Sequence, residues 1–247
     1  MTKEHAAEQT APPDHGAPGA ERRGGKASSA LRETVIVLVS ALVLSLLIKT
    51  FLAQAFYIPS GSMQTTLDIG DRVLVNKLAP GPFDVNRGDV VVFVDPGGWL
   101  PPTVEEESSP AAEAVQRGLE FIGLLPADSG NHLVKRLIGM PGDHVVCCDP
   151  EGRITINGEA IEEPYVIAGA APSNDPFDVV VPDDHVFVLG DNRPDSKDSR
   201  YNPGSPGGGM VPIRNIVGVA FVTIWPVDRW TLLSNPGETF ADVPDPS

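Results

Sequence analysis

The stretch from Thr34 to Phe56 limits what this chain can fold into more than any other. From Thr34 to Ile48 it carries no charge and is dominated by Val, Leu and Ile. After Lys49 it resumes as Phe51-Leu52-Ala53-Gln54-Ala55-Phe56. In lipid every backbone N–H and C=O must be bonded within the segment, so a run of about 20 apolar residues reads as one membrane-spanning helix. A buried core helix would share the composition. The nearly all-apolar, β-branched run, with basic residues only upstream, favours the membrane. Arg22, Arg23, Lys26 and Arg32 precede the span, which puts the N-terminus in the cytoplasm and the chain beyond about Phe56 outside. Lys49 is expected to snorkel, its stem in lipid and its ammonium at the interface. The run also ends in Ala53-Gln54-Ala55, an A-x-A pattern after a basic region and an apolar stretch. A permanent anchor with minor self-cleavage after Ala55 is therefore expected.

Flanking this anchor, the chain reads as three further parts, the largest with two segments of its own. Residues 1–29 are rich in Ala, Pro, Gly, Glu and Lys, without apolar period, and read as a disordered cytoplasmic tail before an anchor over 30–56. Residues 57–234 form the main extracytoplasmic domain. With 25 Gly and 25 Pro in the chain, turns and short strands suit it better than helices do. A turn and a strand are expected over Ile69–Asn76, and strands at Arg87–Val94, Leu133–Ile138, Val145–Cys148, Arg153–Ile156, Val186–Leu189 and Ile216–Trp225. Asn157-Gly158 marks a tight hairpin turn. Residues 95–131 break the pattern and read as a surface insertion with a short helix over Ala111–Leu125. Residues 148–182 read as a small accessory β lobe, and 235–247 as a flexible acidic tail.

Composition excludes some chemistry. The net charge of -15 argues against a nucleic-acid partner, which needs clustered Lys and Arg. The only cysteines, Cys147 and Cys148, are adjacent, and no Cys/His cluster suggests a metal or redox site. On a strand, neighbours point to opposite faces, so two separate thiols are expected rather than a vicinal disulfide.

Three segments carry candidate chemistry: Pro59-Ser60-Gly61-Ser62-Met63, Lys135-Arg136-Leu137-Ile138-Gly139-Met140-Pro141-Gly142-Asp143, and Gly190-Asp191-Asn192-Arg193-Pro194-Asp195-Ser196-Lys197-Asp198-Ser199-Arg200. A serine hydroxyl is a poor nucleophile until a base takes its proton. A Ser-His-Asp triad would need His132, His144 or His185, none of which has a distinctive local sequence. The other base is Lys135. Strand alternation places it on one face with Leu133 and Leu137, where an ammonium is desolvated and its pKa falls. Taken alone, Lys135 reads as a strand lysine reaching from the edge of the core. Beside the other two segments it reads as a base.

In this order, after a membrane segment, the three segments resemble the motif boxes of bacterial type I signal peptidases, membrane-anchored Ser-Lys proteases. The matching covers about Phe56–Asp95 and Leu133–Trp225. The resemblance implies a mostly β catalytic domain at the outer face of the plasma membrane, a single-pass anchor and no cofactor or metal. It implies preprotein signal peptides as substrates, cut after A-x-A-like sites, with membrane lipid and the secretion translocon as partners. It makes Ser62 the nucleophile and Lys135 the general base. Ser60, with the Ser62 N–H, forms the oxyanion hole, and Ser196 hydrogen-bonds and orients the lysine. Asp191, Asp198, Arg200 and Arg136 are supporting charges, Arg136 pairing with one of the carboxylates. The chain departs from the family pattern where Gln64-Thr65 precedes Thr66-Leu67, since a proline often stands before that Thr-Leu. Two rivals remain: a self-cleaving Ser-Lys repressor, which the membrane span and the lack of a DNA-binding module oppose, and an anchored binding or scaffold protein with an inactive fold.

Overall fold

A computed structural model describes residues 24–101 and 129–246. The chain divides into two compact units, Met1–Leu44 and Ser45–Ser247. Helix α1 runs Gly24–Phe51, beginning within the segment expected to be disordered. Its Ala30–Ile48 window has a mean hydropathy of 2.2 and is long and apolar enough to cross a membrane. Thr34 and Ser40 return their hydroxyls to the carbonyls of Ala30 and Val37, so neither presents an unpaired donor. The side chain of Lys49 lies outside the described residues, as do the expected helix over Ala111–Leu125 and most of the N-terminal tail.

The expected span is too long by five residues. Leu52 N–H closes the last helical bond, to Ile48, and the chain then forms strand β1, Ala53–Tyr57. β1 pairs antiparallel with β2, Arg72–Asn76, and Phe56 is fully buried beside Ile58, Met63, Val73 and Val75. Burying one such aromatic gains about 2–3 kcal/mol, and the ladder satisfies the backbone, so the β domain captures the end of the apolar run. The Ala55–Phe56 peptide is thereby held in a paired strand, and self-cleavage there would first require β1 to detach.

The remaining strands are β3, Val90–Val94; β4, His132–Gly139; β5, His144–Cys147; β6, Ile154–Ile156; β7, Glu159–Ala160; β8, Phe177–Val180; β9, His185–Leu189; β10, Val211–Pro212; β11, Ile216–Trp225; and β12, Thr231–Leu232. A large antiparallel sheet has the order β1-β2-β11-β3-β4-β9-β10, with β12 on β11. A smaller one has the order β7-β6-β5-β8. The domain is mostly β, as expected. β6 and β7 are joined by Asn157-Gly158, at φ 53° and 86°, the left-handed pair that a two-residue hairpin requires.

Three expectations change. The small lobe starts at His144, because β5 pairs with β6 and β8 rather than with the large sheet. Cys147 and Cys148 form a disulfide across a cis peptide, with Cα atoms 2.9 Å apart. β5 ends at Cys147, so strand alternation no longer holds the two side chains on opposite faces. The acidic tail packs against the domain. Phe240 is buried with Ile138, Val145 and Phe187, Asn235 donates to Asp89 and to the Arg87 carbonyl, and Asn157 donates to the Pro244 carbonyl. One aromatic placed among apolar neighbours outweighs the polarity of the residues around it.

Candidate active site

The site is built from two loops and one strand of the large sheet. Residues 58–71 leave β1 and return to β2 as a closed loop. Ile58 N–H donates to Asp71 O, Gly70 N–H donates to Ile58 O, and the Asp71 carboxylate takes the Asp68 N–H and Arg229. Met63 and Leu67 sink into the core beneath the loop, which leaves Ser62 at its crest, 8% exposed. Gln64 N–H donates to Gly61 O and Leu67 N–H to Met63 O, so the turn carries its own short hydrogen-bond frame.

β4 presents Lys135. It pairs with Val91 of β3, and its flank residue Leu137 is buried with Val91, Phe93 and Val188. Lys135 is 3% exposed, and its Nζ donates to Ser62 Oγ at 2.5 Å and to the Val134 carbonyl at 3.1 Å. Loss of water around the ammonium lowers its pKa from 10.5 to about 8. Asp198 and Asp191 oppose that fall, and Arg200 adds to it. At neutral pH such a group keeps roughly a tenth of its population as free amine, enough to accept a proton.

The loop after β9 closes the site from the other side. Asn192 donates its backbone N–H to Ser62 O at 3.1 Å. Its side-chain amide donates to Gly61 O at 3.0 Å and to Gln64 Oε1 at 3.1 Å. Gly190 lies so close that a Cβ there would meet Ser62 O at 2.5 Å, and Ser196 as well. Only glycine fits that approach.

The supporting charges pair as two buried units. Asp191 takes Arg136 at 2.8 and 2.6 Å and also accepts the Thr66 hydroxyl, while Arg136 Nη1 donates to Gly88 O. Asp198 takes Arg200 at 2.8 Å through each oxygen and accepts the Gly190 N–H at 3.0 Å. Asp191, Asp198 and Arg200 also act on Lys135 through their charge. Ser60 stands exposed on the loop two residues before Ser62. Ser196 differs from expectation. Its hydroxyl is buried without a hydrogen-bond partner among the described residues, packed against Gly190, and the Lys135 amine is taken by Ser62 and Val134 instead. The histidines are engaged elsewhere: His144 with Asp178, His185 with the Asp183 carbonyl, and His132 against the Phe56 ring.

Several residues at the site carried no role in the sequence reading. Asn192 and Arg193 sit inside a motif that was already singled out. Arg193 is 1% exposed and grips Glu163 at 2.5 and 2.9 Å and Gly190 O at 3.0 Å. Tyr165 lies under the Arg136 guanidinium, 4.0 Å from the ring centre, and donates its phenol to Glu163. Desolvation and the Glu163 charge push that phenol well above its ordinary pKa, so it stays a donor. Glu163 and Tyr165 come from a polar, proline-punctuated stretch with no local signal.

The family model described as signal peptidase, peptidase S26, matches residues 31–225. A probable signal peptidase I of Mycobacterium leprae is 37% identical over 232 residues, covering 83% of this chain and 80% of its own. Signal peptidase I of Mycobacterium tuberculosis is 38% identical over 222 residues, covering 82% and 75%. A probable signal peptidase I-2 of Synechocystis is 37% identical over 201 residues, covering 81% and 76%.

Proposed function

We propose that this chain, which belongs to the signal peptidase family peptidase S26 and is a serine endopeptidase, removes N-terminal signal peptides from exported preproteins with Ser62 as nucleophile and Lys135 as general base. One observation carries the reading: the Lys135 amine lies 2.5 Å from the Ser62 hydroxyl, buried, with its pKa lowered to about 8. Neutral Lys135 takes the hydroxyl proton as Ser62 Oγ attacks the scissile carbonyl. The Ser62 N–H and the Ser60 hydroxyl receive the oxyanion, donors aimed at charge that exists only in the intermediate. The intermediate collapses as Lys135 returns the proton to the leaving amine, which departs as the mature N-terminus. Water, deprotonated by Lys135, then attacks the acyl-enzyme carbonyl, and the lysine returns that proton to Ser62 Oγ as the ester bond breaks. Small side chains one and three residues before the cut define the A-x-A preference.

The helix over Ala30–Ile48 anchors the enzyme, with the N-terminus cytoplasmic and the β domain outside the plasma membrane. Trp225, Val227, Trp230 and Leu232, all on the β11–β12 hairpin, are more than half exposed. Amphipathic indoles beside aliphatic side chains suit a lipid headgroup boundary. Anchoring enzyme and substrate in one bilayer makes their encounter local, and association with the translocon would raise it further.

The test is cleavage of a signal-peptide substrate with an A-x-A site by the full chain in detergent. Wild type, Ser62→Ala and Lys135→Ala are compared across pH. Only wild type should cut, with a rising limb near pH 8. Near-full activity of Lys135→Ala would place the base elsewhere.

A further inference from the structure

Thr65 stands where the family pattern often has proline, and its φ is 86°. Proline is locked near -65° and cannot adopt this conformation, and for a β-branched residue the left-handed region is costly. A residue held there against its preference points to a surrounding structure that fixes it. The fixing contact is visible. The Thr65 hydroxyl donates to the Tyr165 carbonyl at 2.6 Å, across 100 residues of chain.

Tyr165 is itself well anchored. Its ring meets Arg136, its phenol donates to Glu163, and Glu163 pairs with the buried Arg193. Arg193 in turn holds Gly190 O, and two residues beyond Gly190, Asn192 holds Ser62 O. The Ile167 N–H adds a bond to the Asp191 carbonyl at 3.1 Å. The nucleophile turn is therefore bonded directly to Asn192 and, through the Thr65 hydroxyl, to Tyr165, and both links lead back to the Gly190–Arg193 loop.

Resting on the reading of Ser62 as nucleophile, we propose that Thr65 is a positioning residue: its hydroxyl ties the Ser62 turn to the β7–β8 connection of the small lobe, and so holds the turn rigid. The tether makes the small lobe part of the catalytic apparatus without touching substrate.

The experiment compares wild type with Thr65→Val, Thr65→Ser and Thr65→Gly, as full chains in detergent. It reads kcat and KM on an A-x-A peptide, Tm, and amide exchange over residues 61–67. Valine keeps shape and branching but removes the donor. It should lower kcat about fivefold, the range of one neutral hydrogen bond, with KM and the position of the pH limb unchanged. Exchange over the turn should quicken, while Tm falls by no more than about 4 °C. Serine should restore both readings. Glycine, which relieves the φ but lacks the hydroxyl, should behave like valine. Wild-type kcat and exchange in the valine variant would overturn the tether, and so would a kcat loss that follows Tm and that serine does not rescue. If wild type cleaves nothing, the Ser-Lys reading fails, while the exchange rates still decide whether the tether holds the turn.

Discussion

Replacing Lys135 with methionine should abolish cleavage and, below about pH 8, make the protein more stable than wild type. Methionine keeps an unbranched chain in the same slot and removes the amine. Burial lowers the Lys135 pKa from 10.5 to about 8. That gap is about 2.5 units, and at 1.36 kcal/mol per unit it is a penalty of about 3 kcal/mol for holding the charged form in the folded state. The sign follows from proton counts. Below about pH 8 both states are protonated and the full penalty is present. Between about 8 and 10.5 the unfolded chain binds more protons than the native one, so wild-type stability rises with pH. Above 10.5 the penalty is gone. The bonds from Nζ to Ser62 and Val134 offset part of it at every pH. What the substitution isolates is therefore the change with pH. Relative to Lys135→Met, wild type should recover about 3 kcal/mol between neutral pH and about pH 10.5, or roughly 6–12 °C in Tm for a domain of this size. Thermal unfolding of both full chains in one detergent, followed by circular dichroism across that range, measures it, and groups common to both cancel. A Tm difference that stays constant with pH would refute the reasoning, because Lys135 would then titrate alike in the folded and unfolded chain.

Two further outcomes follow from packing. Gly190→Ala drives a methyl to 2.5 Å from the Ser62 carbonyl and should lower kcat about a hundredfold, as a displacement of about 1 Å does; kinetics well below Tm would show a smaller loss if the turn can yield. Phe240→Ala empties a buried position among Ile138, Val145 and Phe187 and should cost about 3 kcal/mol in denaturant unfolding, whereas a tail that only drifts in solvent would cost nothing.

Much of the β domain was legible because its strands announce themselves locally. β3, β4, β9 and β11 are short apolar runs between Gly, Pro and Asp, and the Asn157-Gly158 turn occurs as its sequence demands. Ser62 and Lys135 were legible through motifs rather than periodicity. Their partners were less so. Asn192 reaches Gly61 across 131 residues and Arg193 reaches Glu163 across 30, and no window of sequence contains both ends. The end of the apolar run was misjudged for a related reason. Ala53–Tyr57 is apolar enough for lipid, and only pairing with β2 claims it for the sheet.

By itself the sequence determined the chemistry available: one apolar segment long enough for a bilayer, a mostly β domain, a serine and a lysine in motifs, and an acidic balance unsuited to nucleic acid. The apolar segment, the β domain and the charge balance depend on composition and patterning, which local physics reads directly, whereas the serine and lysine stood out through the resemblance of their segments to a known family. The tertiary structure alone decided that Lys135 is desolvated beside Ser62, that the Ser196 hydroxyl has no hydrogen-bond partner among the described residues, that the two cysteines bond, and that Thr65 bonds to the Tyr165 carbonyl and Asn192 to that of Gly61. Burial, desolvation and long-range hydrogen bonds belong to pairs of distant residues, and they acquire a value only when the fold brings both members together.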